Sequence, residues 1–126
     1  MTLRACVRIY TIMKELPNQP IQTATDELID LIDSRFFKAL SEPVRVQLLK
    51  YLILSGKSDI ASIAAAFPQD RSVISRHLQA MQDAGLLRSA KVSRHVFYEI
   101  DGHTVLAKFE RIAAQIRQCL PHCCPD

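Results

Sequence analysis

Three thiols stand in the six-residue run Cys119-Leu120-Pro121-His122-Cys123-Cys124. Thiolates are soft ligands, and they select soft metal ions and metalloids over calcium or magnesium. Pro121 is expected to stop a preceding helix. The chain would then fold back and bring Cys123 and Cys124 near Cys119. Trivalent arsenic bonds up to three sulfurs, so arsenite would use all three thiols. A monosubstituted arsenical such as methylarsenite has two open positions, which the vicinal pair Cys123–Cys124 can fill. Antimony, cadmium, lead and mercury suit the same donors. Two other readings stay open: a redox sensor closing a disulfide from Cys119 to Cys123 or Cys124, and unligated surface thiols. Cys6 offers a further thiol whose position nothing in the sequence fixes, and His122 reads as exposed rather than ligating.

A second set of residues suits hydrogen bonding to a polyanion. If residues 70–84 form a helix turning ~100° per residue, Ile74, Leu78 and Met81 share the side facing a core. Ser72, Ser75, Arg76 and Gln79 then lie on the opposite side, with Asp83 at its far end. Short polar side chains that reach base edges and let the backbone approach phosphates are what a major-groove helix needs. Arg71 in the first turn is placed for a phosphate, beside the positive end of the helix dipole. Lys91, Arg94 and His95 add a basic segment just beyond. A plain solvated helix face would look similar, and the basic segment favours duplex DNA. His77 projects to the flank of the apolar stripe, where a packed or half-buried structural role is expected.

These residues need a scaffold, and the apolar spacing supplies one. Residues 26–40 read as a helix, with Leu28, Leu31, Ile32, Phe36 and Ala39 at spacings of three and four. A second helix starts at Ser41-Glu42-Pro43, capped by Ser41 or Glu42, and ends at Gly56. Its buried stripe is Val44, Leu48, Leu49 and Leu52. A short helix, 58–66, is followed by the break Phe67-Pro68-Gln69 and by Asp70 as a cap. Gly85 stops that next helix, giving a helix-turn-helix. The period then shifts to two. Residues 86–91 and 95–100 read as strands, and Val92-Ser93-Arg94 as the tip of a hairpin, or wing. The last helix spans 103–119, with Val105, Leu106, Phe109, Ile112, Ala113, Ile116 and Leu120 on one stripe. The fold class is therefore mainly α with a small β-hairpin, a winged helix-turn-helix with extra helices at both ends.

Composition agrees with these assignments. A chain of 126 residues, 48% of them hydrophobic, suits one domain with a real core. No run approaches the ~20 apolar residues of a membrane span. Arg4 and Arg8 interrupt what would be a signal peptide, so a cytoplasmic location with reduced thiols is expected. Met13 is an alternative start. Net charge is +3, but residues 71–95 hold five bases and one acid, whereas residues 26–33 hold four acids and no base. One basic surface beside an acidic one fits a polyanion partner. An enzyme using Cys and His has no second supporting element, so no catalytic activity is expected. A thiol carrier would not need the Ser72–Gln79 face.

Residues 37–45, Phe-Lys-Ala-Leu-Ser-Glu-Pro-Val-Arg, with Leu48-Leu49-Lys50-Tyr51-Leu52, resemble the opening signature of the ArsR/SmtB family. Ser72-Val73-Ile74-Ser75-Arg76-His77-Leu78, then Ala84-Gly85-Leu86-Leu87, resembles its recognition helix. The wing ending Val96-Phe97-Tyr98-Glu99-Ile100 fits too, and the resemblance covers roughly residues 30 to 118. It implies a homodimeric repressor that binds double-stranded operator DNA and leaves it when a metal or metalloid binds. It also implies that the first and last helices form the dimer interface. The organisation expected is an extension or linker over 1–22, a winged-helix DNA-binding and dimerisation domain over 23–120, and a cysteine-containing tail over 121–126. No resident cofactor is implied, only an effector. The family's cysteine pair in the short third helix is missing here, where residues 58–64 hold no thiol. Its Asp-x-His site finds Asp101 and His103, but Ala114 and Arg117 occupy the partner positions and cannot ligate. Asp101 is instead expected to cap a helix and His103 to sit on the surface. The tail thiols Cys119, Cys123 and Cys124, with Cys6 as a possible fourth, remain the candidate effector site.

Overall fold

The computed structural model describes residues 20–32 and 35–125. Cys6 and most of the expected 1–22 extension lie outside the described residues. The described elements run α1 (Pro20–Ile32), α2 (Arg35–Leu40), α3 (Pro43–Ser55), β1 (Ser58–Asp59), α4 (Ile60–Ala65), α5 (Arg71–Asp83), β2 (Leu87–Val92), β3 (His95–Ile100) and α6 (Gly102–Cys123). They are mostly helical, with one small antiparallel sheet in the order β1-β3-β2. Among the described residues no helix is long and apolar enough to cross a membrane.

Two compact units emerge. One comprises the described residues 35–110. Its core is built from Phe36 and Ala39 of α2, Leu48 and Leu52 of α3, Ile63 of α4, Ile74, Leu78 and Met81 of α5, and Leu86, Leu87 and Tyr98. Leu48, Ile63, Ile74, Leu78 and Met81 are wholly inaccessible to solvent. Each such side chain contributes about 1.5–3 kcal/mol by leaving water. Val44 and Leu49, expected on the α3 stripe, are only partly buried against this core. The other unit comprises α1 and residues 111–125. There Ala24, Leu31 and Ile112 are buried, and the Gln115 side chain donates to Glu27 Oε2 at 2.7 Å.

Local punctuation follows the sequence in most places. Gly56, at φ 70°, ends α3 with its N–H on the Leu52 carbonyl. Gly85, at φ 85°, ends α5 in a Schellman arrangement. Its N–H meets the Gln82 carbonyl at 3.0 Å, and Leu86 N–H meets Met81 O at 2.9 Å. This pair of bonds turns the chain directly from α5 into the wing.

Several expectations are corrected. Residues 26–40 are not one helix: α1 starts earlier, at Pro20, where a proline's missing N–H has no helical partner anyway, and Arg35–Leu40 form a separate helix. The caps expected from Ser41, Glu42 and Asp70 make no side-chain cap bond. Ser41 Oγ donates instead to Lys38 O at 2.7 Å. The segment 58–66 begins as a strand. Ser58 and Asp59 pair with Tyr98 and Phe97, and Asp59 then caps α4 by accepting from Ser62 N–H at 3.2 Å. The wing turn holds two residues, Ser93 and Arg94, because Val92 pairs with His95. Ser93 takes φ 58°, as such tight hairpins require at their first turn position. Finally, Pro121 does not stop the last helix. Residues 102–123 form one helix with Pro121 inside it. Pro121 lacks the N–H that would bond Arg117 O, but this loss falls in the solvent-exposed final turns, where the carbonyl is open to solvent.

Candidate functional site

Helix α5 carries its two faces as the 3.6-residue period requires. Ile74, Leu78 and Met81 anchor it to the core with no exposure. Arg71, Ser72, Arg76 and Gln79 are exposed, and Ser75 is half-buried. The Asp70 carbonyl accepts from Val73 and Ile74 N–H at 3.0 Å each, while its carboxyl leaves the first-turn N–H groups uncapped. That end of α5 thus presents donors and a positive dipole to anything docked against it. Gln79 is already engaged: its amide donates to Asp83 Oδ1 at 2.9 Å. That bond fixes the amide plane and leaves the amide oxygen free to accept.

The flank of α5 holds a contact that spacing alone does not show. His77 is half-buried, and its Nδ1 accepts from Arg45 Nε at 3.1 Å. This ties α5 to the start of α3. It requires the His77 tautomer without a proton on Nδ1. The Glu-Pro-Val-Arg run was a visible signal for the start of α3, but nothing in sequence pointed Arg45 at a residue 32 positions away.

On the wing, Lys91 and Arg94 are exposed. Arg88, counted among the bases of this segment, is neutralised. Its Nε lies 2.8 Å from Glu99 Oε1 across the β2–β3 ladder. His95 Nδ1 stands 3.7 Å from Asp59 Oδ2. Lys57 Nζ rests 5.7 Å from the Phe97 ring centre. The hydroxyl and backbone N–H of Ser62 hold the Asp59 carboxyl below its ordinary pKa, with a smaller pull from His95. Asp101 is lowered in the same way by Thr104, whose hydroxyl donates to Oδ2 at 2.8 Å and whose N–H donates to Oδ1 at 3.3 Å. Asp101 therefore caps α6, and His103 is exposed.

The thiols are arranged differently from the expected fold-back. Because α6 passes through Pro121, Cys119 and Cys123 sit one turn apart on a helix. Their Cβ atoms are then about 5–6 Å apart. Cys119 is half-buried, with Sγ 3.9 Å from Thr25 Oγ1. Cys123 and Cys124 are exposed and adjacent, 3.7 Å between sulfurs, with the Cys123 thiol donating. That hydrogen bond to Cys124 pushes the Cys123 thiol pKa up, because it favours the protonated form. The charge of a neighbouring Cys124 thiolate acts in the same direction. Among the described residues no three His, Cys, Asp or Glu side chains gather into a metal cluster. The donor set present is a vicinal dithiol with a third thiol one turn away.

Comparison with known proteins bears on both features. Residues 42–89 match the family described as bacterial regulatory protein, arsR family. The cadmium resistance transcriptional regulatory protein CadC homolog of Staphylococcus aureus is 27% identical over 78 residues, covering 62% of this chain and 64% of that protein. The arsenical resistance operon repressor of Escherichia coli strain K12 is 29% identical over 73 residues, covering 58% and 62%. The chain thus spans slightly under two thirds of the length of these curated relatives. Among solved structures, an ArsR-like transcriptional regulator from Rhodococcus sp. RHA1 is 31% identical. It covers 78% of this chain and 90% of its own, with a TM-score of 0.58.

Proposed function

Because this chain belongs to the arsR family of bacterial regulatory proteins, we propose that it is a homodimeric transcriptional repressor that α5 and the wing hold on operator DNA. In this reading a soft, thiol-seeking effector, foremost trivalent arsenic, releases it. One observation carries the DNA reading: Ile74, Leu78 and Met81 are sealed in the core while Arg71, Ser72, Arg76 and Gln79 face outward. Side chains of that kind read base edges, and Lys91 and Arg94 would meet phosphates. The phosphate contacts would supply sequence-independent affinity that weakens with salt.

The effector reading rests on the Cys123–Cys124 pair at 3.7 Å. Two adjacent sulfurs match the two open positions of a monosubstituted arsenical better than the three of arsenite. Each As–S bond would replace an As–OH bond, with the thiol proton leaving with the hydroxyl as water. The two regulators whose names mention cadmium and arsenicals favour a thiophilic effector without choosing between them. A disulfide from Cys119 is less favoured. One helical turn separates it from Cys123, whereas a disulfide needs Cβ atoms roughly 3.5–4.5 Å apart. Binding at the end of α6 would change the dimer interface and turn the two reading helices out of register. A coupling of a few kcal/mol suffices, since about 1.4 kcal/mol is tenfold in affinity.

The test uses a fluorescent duplex from upstream of the protein's own gene. The wild type should bind it, and a monosubstituted arsenical should release it. Cys123→Ser/Cys124→Ser should bind the duplex equally well and ignore the arsenical, while Cys119→Ser should still respond. A double variant that responds like wild type would remove the tail from the mechanism. A wild type that does not distinguish its own upstream duplex from a scrambled one would remove the repressor reading.

A further inference from the structure

We infer that the concavity between α2, α3 and α5 is a phosphate-binding pocket that seats a backbone phosphate of the duplex beside the recognition helix. The inference deepens the repressor reading and rests on it for the source of the phosphate, though not for the chemistry of the pocket. The concavity measures about 240 Å³ and is lined by Arg35, Lys38, Ala39, Arg45, Ala80 and Asp83.

Three cations and one carboxylate face the same space. Among the described residues, none of the three cations is ion-paired. The one acid, Asp83, is turned to the Gln79 amide at 2.9 Å. Arg45 is half-buried and held by its Nε–H bond to His77 at 3.1 Å. One edge of its guanidinium is thereby fixed, and its terminal N–H groups need no further ordering to meet an anion. Arg35 and Lys38 are exposed at the rim. A recess lined mainly by one sign of charge focuses the field and draws in a counterion of the other sign. Guanidinium donors in a fork beside an ammonium suit the tetrahedral oxygens of a phosphate.

Position supplies the source. Ala80 and Asp83 lie on the edge of α5 next to Arg76 and Gln79, the exposed residues of the outward face. A duplex docked on that face would run its backbone along this edge. The wing basics Lys91 and Arg94 belong to a different part of the unit, so this pocket is an additional contact rather than an extension of theirs.

The test measures duplex affinity against salt for the wild type, Arg35→Gln and Lys38→Gln. It uses both the upstream duplex and a scrambled one. Each substitution should lower the magnitude of the log–log salt slope by about 0.9 and weaken binding roughly fivefold at 0.15 M salt, the counterion contribution of one phosphate. The loss should be the same on both sequences, because a phosphate contact carries no base information. Asp83→Asn should tighten binding to both, a gain that misfolding cannot imitate. In parallel, inorganic phosphate titrated into the free protein should shift the Ala39 and Ala80 amide resonances saturably, and less so in Lys38→Gln.

Unchanged slopes together with unmoved amides would overturn the pocket. Saturable phosphate shifts with a duplex affinity indifferent to Arg35 and Lys38 would overturn the duplex as source and leave a free phosphate anion as ligand. If the wild type binds no duplex at all, the repressor reading falls, and the phosphate titration still decides the pocket separately.

Discussion

Asp59 and Asp101 do one job at two helix starts, and pH reveals it. Both carboxyls titrate lower in the folded chain than in the unfolded one, through Ser62 and Thr104 respectively. A carboxyl with a depressed folded pKa adds stability that is complete above its unfolded pKa and is lost as pH falls through the folded value. Asp101→Ala should therefore be less stable than wild type near neutrality. The gap should close as pH drops below about 4, the ordinary aspartate range. Urea unfolding at several pH values checks this. A gap that stays constant down to the lowest pH would mean that the Asp101 cap acts through something other than its charge. The Asp101 cap was legible in sequence; that of Asp59 was not. The difference is strand β1, whose two residues are too few to show a period of two.

Among the helices, legibility followed the strength of the apolar rhythm. Helix α5 alternates sealed and open faces over 13 residues, and its stripe was readable without coordinates. Its end was readable too, because Gly85 takes a φ that other residues avoid. The fate of α6 was not. Proline inside a helix usually breaks it, but the rule weakens within the last turns, where few carbonyls need partners. The expected fold-back of Cys123 and Cys124 onto Cys119 failed for that reason: the helix runs on through Pro121 and keeps Cys119 and Cys123 one turn apart. Arg45–His77 and the α2–α3–α5 recess were invisible because they join residues far apart in sequence. Gly85 supports a sharper expectation. A Cβ there would meet only Thr104 Cγ2, at 3.8 Å, an ordinary contact. Gly85→Ala should then cost about 1–2 kcal/mol, from backbone conformation alone. Chemical denaturation should show a lower midpoint with an unchanged slope. A loss well above that range would mean that the α5-to-wing junction collapses, and with it the placement of Lys91 and Arg94.

Assembly is where the exposed apolar residues become informative. Along α6, Leu106, Phe109, Ile116 and Leu120 remain 43–57% exposed, with the small Ala113 between them. Their spacing of three, four, three and four is that of a helix-packing seam. On α1, Ile29 and Ile32 are exposed to a similar degree. A seam this regular left in water invites a second copy, and in a twofold pairing a residue at one end of the seam would meet one at the other end of the partner's, and the reverse. Ile116→Asp/Leu120→Asp would place unpaired carboxylates in that seam, where burial of charge is strongly unfavourable. The variant should sediment as a monomer while its far-UV dichroism keeps the helical signal, since both positions are exposed within one chain. On the repressor proposal its duplex affinity should fall steeply, because a dimer gripping two half-sites would lose both together. If the effector proposal holds, capture of a monosubstituted arsenical at Cys123 and Cys124 should persist in this variant, because the vicinal sulfurs belong to the same chain. A variant that stays dimeric would move the interface off this seam. Effector binding at the end of α6 would then have no direct route to the spacing of the two recognition helices.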